Sequence, residues 1–287
     1  MLRKLYSNKL TILIKDQKIG GFLANVFFRD FTFKYYITLS QSMLSIFRGI
    51  NPNAKLYDLQ HGIIHNNKKN YLLNGVVEPN LLANNANLLL SGESYKDLLV
   101  INDQSNYFQS NAFVIGSHVP SSVFIHEKFN TNVLVTLQFT HDHSDQENTI
   151  LLNELKVFLS SSDTKINFYL KNHPRFNNEV DLSEIFTLSN IHSAPEDINE
   201  CFKLCSLHAT AYSTSIFEAA LLGIPTILIH SKNEFNFLKK ELAYPLNYDI
   251  SDFKDVVVFQ ESAKIVKSWA EEYYSPYNEF AFLDLLK

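Results

Sequence analysis

The sequence predicts an α/β protein made of two Rossmann-type halves, each a parallel sheet flanked by helices. Three observations carry this. Short apolar runs of strand length alternate with helix-length segments, a pattern that implies parallel strands joined by right-handed crossovers. Several of these runs end directly in polar motifs, Gln60-His61-Gly62, His173-Pro174-Arg175 and Ser213-Thr214-Ser215, which is where strands of open α/β sheets meet ligands. Small and turn-forming residues cluster from Gly116 to Ser122 and mark a linker. The expected division is a first domain over residues 1–118, a second over 119–265, and a C-terminal helical segment over 266–287 that crosses back to the first.

In the first half, Leu10 to Ile14 reads as a strand, and the aromatic-rich stretch from Phe22 to Tyr36 follows it. Tyr36 to Leu39 is the next strand, and Gln41 to Phe47 fits a helix closed by Gly49 and Pro52. Ala54 to Leu59 is β-compatible and runs into Gln60-His61-Gly62, where the glycine permits a sharp turn and close approach to its backbone. Residues 63–86 lack periodicity and read as irregular, with a polar loop from Asn66 to Asn70. A strand at Asn87 to Leu90, a helix at Ser94 to Val100 and a strand at Ala112 to Ile115 complete this half.

The second half is more regular. Asn132 to Phe139, Lys165 to Leu170 and Ile191 to Ala194 read as strands. Asp145 to Leu159 reads as a helix whose acidic first turn suits the helix dipole, and Glu196 to Leu204 as another. Pro174 disfavours helical backbone at the residue before it, so His173 is expected to be extended at its strand's end. The stretch His208 to His230 is the most informative. It reads as a strand ending at Ala211-Tyr212, three hydroxyl residues, a buried helix from Ile216 to Leu222 in which only Glu218 is polar, a stop at Gly223 and Pro225, and a strand at Thr226 to Ile229. Helices at Ala263 to Tyr273 and Asn278 to Leu286 end the chain.

With 287 residues, 46% hydrophobic and 19% charged, the chain can bury a sizeable core. A net charge of −5 and a pI of about 6.1 leave no global basic field, so nucleic acid is not an expected partner and any anion site is local. Cys201 and Cys205 lie four apart on one helix, a poor geometry for a disulfide and too few thiols for a structural zinc site; free thiols in a cytoplasmic setting are expected. The apolar run Thr11 to Ile14 is too short for a signal peptide or a membrane span. Two readings stand for Phe27, Phe28, Phe31 and Phe33: core, or a surface for peripheral membrane contact.

His173 and the Ser213 turn share one half, each at the end of a candidate parallel strand. Folding should bring them to one rim, which would present His173, Pro174, Arg175 or Lys171, and the hydroxyls of Ser213, Thr214 and Ser215 at a helix start. Free backbone N–H groups and charge-assisted hydrogen bonds there suit a nucleotide's phosphates, and Glu218 could accept from ribose hydroxyls. Plainer readings stand beside these. Ser215 and Glu218 also match the S-x-x-E capping box, and His173-Pro174 matches an ordinary loop dipeptide. His61, with Asp58 and His65 nearby, makes a polar cluster at a strand end, or is a histidine capping that strand in the core. Thr140-His141-Asp142-His143 superficially resembles a metal site, but the acidic helix start that follows competes for it, so a solvated loop is expected and no metal.

The series LQHGII, KNHPR and AYSTSIFEAALLGIPTILI, over roughly residues 54–230, resembles the motif order of bacterial surface-polysaccharide glycosyltransferases of the GT-B fold. That group includes capsule and lipooligosaccharide sialyltransferases, polysialyltransferase-like proteins and CDP-glycerol polymerases. The resemblance implies two Rossmann-type domains facing across a cleft, with the N-terminal one reduced. It also implies a metal-independent transferase that needs no cofactor and moves a sugar, such as sialic acid from a CMP donor, from a nucleotide sugar to a glycan or glycolipid acceptor. By resemblance His173, Pro174, Ser213, Thr214 and Ser215 hold the donor. The sialyltransferases have paired acidic residues before a glycine, where this chain has Gln60-His61-Gly62 with Asp58 two residues earlier; the His-Gly pair is closer to the glycerol-phosphate polymerases. His61, oriented by Asp58, is then the expected general base on the acceptor hydroxyl. A nucleotide-sugar 2-epimerase of the same fold and a non-catalytic nucleotide-binding subunit of a capsule assembly complex are the alternatives.

Overall fold

A computed structural model describes residues 2–29, 31–66, 68, 70–119, 124–229 and 237–287. The chain divides into two units, residues 1–118 with 272–287, and residues 119–271. Asn67 and Lys69 of the expected polar loop, Pro120 to Ser122 of the expected linker, and His230 lie outside the described residues.

In the first unit the expected strand at Leu10 to Ile14 is instead the start of a helix, α1 (Ile12–Phe27). Thr11 caps it by accepting the Ile14 backbone N–H at 3.3 Å. The helix then crosses α2 (Leu44–Ile50) closely enough that a Cβ on Gly20 would stand 2.0 Å from the Ile46 carbonyl oxygen, and one on Gly49 2.1 Å from that of Gln17. Glycines that weaken a helix in isolation here permit the packing that stabilises it.

Between these helices lies β1 (Tyr35–Leu39), and after α2 comes β2 (Lys55–Leu59). The stretch expected to be irregular holds a hairpin of β3 (Leu72–Leu73) and β4 (Val76–Val77), then α3 (Pro79–Asn84). Asn74 and Gly75, at φ 52° and 80°, form the hairpin's two-residue turn, the Asn-Gly pairing that a left-handed turn favours. The unit continues with β5 (Ala86–Leu90), α4 (Glu93–Asn102), α5 (Tyr107–Asn111) and β6 (Ala112–Val114). Its sheet is parallel in the order β1-β2-β5-β6. The chain's last helix, Glu279–Leu285, packs Phe282 and Leu285 against Tyr57, Leu89 and Ile115, and the Tyr57 hydroxyl donates to the Leu285 carbonyl at 2.5 Å.

The second unit runs β7 (Asn132–Thr136), α6 (Asp145–Ser160), β8 (Asn167–Lys171), β9 (Ile191–Ser193), α7 (Ile198–Leu204), β10 (Leu207–Thr210), α8 (Ser215–Leu221), β11 (Thr226–Leu228), α9 (Phe237–Lys240) and α10 (Val256–Tyr273). Its sheet is parallel in the order β11-β10-β7-β8-β9. Central strands buried on both faces explain the continuous apolar runs: Val133, Leu134, Val135, Leu207 and Ala209 expose no surface. The chain lays β8 and β9 on one side of β7, then returns to lay β10 and β11 on the other. That reversal makes a topological switch point between β7 and β10, and the carboxyl ends of those strands are where such sheets take ligands.

Candidate functional site

Three loops meet at the carboxyl ends of β7, β8 and β10. The turn after β7, Thr140 to His143, leads into α6 through a capping box of Ser144 and Glu147. An antiparallel bridge from Thr140 to Phe176 ties this turn to the segment after β8, and the Asn177 N–H donates to the Phe139 carbonyl at 3.1 Å. Arg175 pairs with Asp142 at 2.7 Å, both side chains more than half exposed. The His173 Nδ1 accepts the Arg175 backbone N–H at 3.0 Å. Desolvation, then Arg175 and His143, pull His173 below the ordinary histidine value, with Asp142 opposing. His173 is therefore a neutral ring whose proton sits on Nε2, an outward hydrogen-bond donor. Pro174 is exposed beside it. Lys171 does not join the rim, because its ammonium donates to the carbonyls of Pro195 at 2.9 Å and Glu196 at 2.6 Å.

In the Thr140 to His143 turn, His141 and Asp142 are exposed as in a solvated loop, but its two ends are not. Thr140 is buried, and His143 Nε2 lies 2.5 Å from the Tyr212 hydroxyl of the segment after β10. Desolvation, with Glu147 and Asp142, raises the Tyr212 hydroxyl's pKa, so it stays protonated and donates to His143. All three loops are thus joined side to side. Among the described residues no three His, Cys, Asp or Glu side chains are gathered so as to hold a metal ion.

At the third loop the capping box expected of Ser215 and Glu218 does not form. Helix α8 begins one residue earlier than that box requires, so Thr214 takes the cap position and makes no side-chain capping bond. Ser215 turns inward instead. Its Oγ donates to Ser213 Oγ at 2.8 Å and lies 3.1 Å from Thr136 Oγ1 and 3.2 Å from His208 Nε2. His208 is fully buried, also 2.9 Å from Thr136 Oγ1 and, through Nδ1, 2.9 Å from Thr226 Oγ1. Desolvation pushes His208 down to about 3. Ser213 Oγ also accepts the Ser215 N–H at 3.3 Å, so its lone pairs are used and its own O–H is left to donate. Thr214 is exposed. Glu218 keeps accessible surface while surrounding protein still desolvates its carboxyl and raises its pKa.

In the first unit, Gln60-His61-Gly62 follows β2. The Gln60 Oε1 accepts the backbone N–H and the hydroxyl of Ser91, each at 3.0 Å, while its Nε2 donates to the Gly62 carbonyl at 2.9 Å. Gly62 has φ +68°, which only glycine adopts without strain. His61 is held by its backbone, whose N–H donates to the Tyr71 hydroxyl at 2.8 Å, and its ring is exposed. Asp58 is fully buried and points elsewhere, its Oδ1 accepting the Thr38 hydroxyl and the Gln41 N–H, each at 2.6 Å. Its Oδ2 is buried without a partner, and desolvation raises its pKa against those two hydrogen bonds and the nearby His61.

A cavity of about 600 Å³ opens beside Gly62, its apolar wall including Ile37, Leu89 and Phe282 and its polar groups including Gln60, Ser91 and His118. A larger one of about 730 Å³ in the second unit, lined by residues of α6 and β11 and by Asp163, Asp249 and Lys254, does not include His173 or Ser213.

The chain has the GT-B fold. It superposes on a glycosyltransferase from Rickettsia africae with a TM-score of 0.54 and 13% identity, covering 98% of this chain and 82% of the other. A UDP-GlcNAc 2-epimerase from Methanocaldococcus jannaschii, in complex with UDP-GlcNAc and UDP, gives a TM-score of 0.52 at 13% identity over 95% of this chain and 80% of the other. The UDP-GlcNAc 2-epimerase of Neisseria meningitidis bound to UDP-GlcNAc gives 0.52 at 12% identity over 98% and 83%. No protein-family model and no curated protein matches the sequence. At such identities the likeness shows a shared α/β architecture of parallel sheets.

Two contributors to the rim were missed in the sequence, His143 with Tyr212 and Thr136 with His208. Each pair joins strands distant in sequence, and the only signal available was the polarity of Thr136 and His208 within otherwise apolar strands.

Proposed function

We propose that this protein is a nucleotide-sugar-dependent glycosyltransferase that uses no metal ion, with a donor such as a CMP-linked sialic acid and a bacterial surface glycan or glycolipid as acceptor. The observation that supports the nucleotide part is that the segment after β8, carrying His173 and Arg175, and the segment after β10, carrying Ser213, are both tied to the turn after β7 beside the switch point, with the His173 Nε2–H and the Ser213 hydroxyl each left to donate. Thr214 and Glu218 keep exposed surface on the same segment, and in this reading Glu218 accepts from a ribose hydroxyl. Fixed donors of this kind meet the charge that grows on a departing nucleotide, with no reorganisation at the moment of reaction. His61, exposed on a rigid turn, takes the acceptor's proton, and Asp58 contributes a field from the strand beneath it.

Transfer is favoured over epimerisation by the cavity beside Gly62, since an epimerase has no acceptor to accommodate. The second reading, a nucleotide-sugar 2-epimerase, is favoured by the likeness to two epimerase structures that carry UDP-GlcNAc.

The test is a thermal-shift panel of CMP, CDP, UDP and GDP. A ligand at a hundred times its Kd adds about 2.7 kcal/mol to apparent stability. One nucleotide should raise the melting temperature, and His173→Ala or Ser213→Ala should abolish the rise; no shift with any of the four overturns the donor-site reading. Product analysis with and without acceptor then separates transfer from epimerisation, and binding without turnover identifies a non-catalytic subunit. His61→Ala should lose transfer while keeping the nucleotide shift, and unchanged turnover rules His61 out as base.

A further inference from the structure

The first 34 residues carry seven basic side chains (Arg3, Lys4, Lys9, Lys15, Lys18, Arg29 and Lys34) against Asp16 and Asp30, a net charge of +5 in a chain whose total is −5. The remaining residues therefore carry −10, and the positive charge is concentrated in one segment of the first unit. Arg3 and Asp16 cancel each other in an ion pair with both carboxylate oxygens held at 2.6 Å, which leaves the other basic side chains to carry the charge.

The same segment exposes apolar side chains. Helix α1 buries Ile19 and packs Gly20 closely against α2, while Ile14, Phe22 and Val26 along it are each 42% exposed or more, with Lys15 and Lys18 among them. Leu2 and Leu5 precede it, with Leu5 78% exposed. Phe27 at its end and Phe31 and Phe33 beyond it are at least half exposed, so of the two readings of these aromatics the core one does not hold for them. They are not loose: Phe28, Phe31, Phe33 and Tyr36 stack edge to face in succession at 5.6, 5.7 and 5.9 Å, and buried Tyr36 stacks on Phe47 of α2 at 4.6 Å.

We infer that this surface, α1 and the aromatic turn after it, docks the protein on an anionic lipid bilayer. Two features select that partner. Positive charge beside exposed aromatics matches an interface that is negative at its headgroups and apolar a few ångströms deeper, and lysines flanking the apolar residues can bury their stems while keeping their ammonium groups among the headgroups. A purely apolar protein contact would gain nothing from the charge, and a second copy of the same patch would repel it. No helix among the described residues is long and apolar enough to cross a membrane, so attachment is along the surface. The inference does not depend on the nucleotide site, and its failure leaves that reading untouched.

The test is co-sedimentation of the full chain with vesicles of phosphatidylcholine alone or of phosphatidylcholine with phosphatidylglycerol, at low and high salt. The protein should pellet with the anionic vesicles only and be released by salt. Lys15→Glu with Lys18→Glu should weaken partitioning at least tenfold, on the basis of about fivefold for each basic residue lost near the surface. Phe22→Ser with Phe27→Ser should weaken it comparably, with the melting temperature of the free protein unchanged because both side chains are more than half exposed and lie outside the stacked series of Phe28, Phe31 and Phe33. Absence of vesicle binding, or binding that ignores both lipid charge and salt, overturns the inference without recourse to any variant. So does a monomer–dimer equilibrium that the phenylalanine variant abolishes while vesicle binding persists, since a second copy would then cover this face.

Discussion

His208 is the sharpest test of the second unit's interior. It is fully enclosed and pushed down to about 3 by desolvation, so the folded protein holds it neutral. In the unfolded chain a histidine titrates near about 6.5. A base whose pKa is depressed by folding adds stability that is complete above its unfolded value and is lost as pH falls toward its folded value. The window here runs from about pH 6.5 down to about 3, with a slope of about 1.4 kcal/mol per pH unit. From about pH 7 to about pH 5 this one residue therefore removes about 2 kcal/mol.

The perturbation is His208→Gln, which keeps a polar side chain among Thr136, Ser215 and Thr226 but does not titrate. Losing part of that network should lower stability by about 1–3 kcal/mol near pH 7. Urea unfolding followed by fluorescence reads the right unit, because the chain's single tryptophan, Trp269, stacks on Phe217 of α8 at 4.6 Å. Carboxylates titrate alike in both proteins, so the gap between wild type and variant isolates His208. That gap should narrow by about 2 kcal/mol between about pH 7 and about pH 5. A gap that stays constant would mean that His208 binds its proton as readily in the folded state as in the unfolded one.

Three further outcomes follow from the first unit. Asp58 has its pKa raised by burial, so its charge weakens the fold above its folded pKa and not below the unfolded value of about 4; Asp58→Asn, which keeps an acceptor for Thr38 and Gln41, should raise the melting temperature at neutral pH and lose that advantage in acid. Gly20→Ala forces a Cβ to 2.0 Å from the Ile46 carbonyl and should destabilise the unit by about 1–3 kcal/mol in thermal denaturation followed by circular dichroism, an unchanged melting temperature arguing against the close helix crossing. Gly62→Ala meets open space but a φ of +68°, so it should cost about 1 kcal/mol through backbone strain alone, and the same protein with Gly62→Asn should recover part of that loss.

What could be read from the sequence follows from how local the cause is. Buried parallel strands such as Val133 to Val135 show themselves as unbroken apolar runs, and the residues after them mark the strand ends, so the rim positions of His173 and Ser213 could be inferred before any contact was known. Helix α1 was misread because Thr11 to Ile14 is strand-like by composition, while the glycine crossing that makes it a helix depends on Gly49, far along the chain. The hairpin at Asn74-Gly75 was a local signal overlooked among short, weakly apolar runs. The pairing of His143 with Tyr212 could not be read at all, since it requires knowing that β10 lies beside β7. The capping box was a true signal at the wrong address: Ser144 and Glu147 form it, whereas Ser215 is drawn inward by Thr136 and His208.

That inward turn bears on which way the Ser213 hydroxyl points. Ser215 Oγ spends its single proton on Ser213, so it must accept from either Thr136 or His208. Were the neutral His208 protonated on Nδ1, its bare Nε2 would claim the Thr136 proton at 2.9 Å, and Ser215 would face two groups with no proton to offer it. With the proton on Nε2 every demand is met: His208 donates to Thr136, Thr136 to Ser215, Ser215 to Ser213, and the Thr226 hydroxyl donates to Nδ1. The buried hydrogen bonds then all run in one direction, from β11 through β10 and β7 to the rim. Each bond in such a chain polarises the next, and the chain ends on buried Ser213, whose oxygen accepts and whose own proton is left to donate. Residues beneath the rim thereby constrain the Ser213 hydroxyl on which the proposed donor site relies.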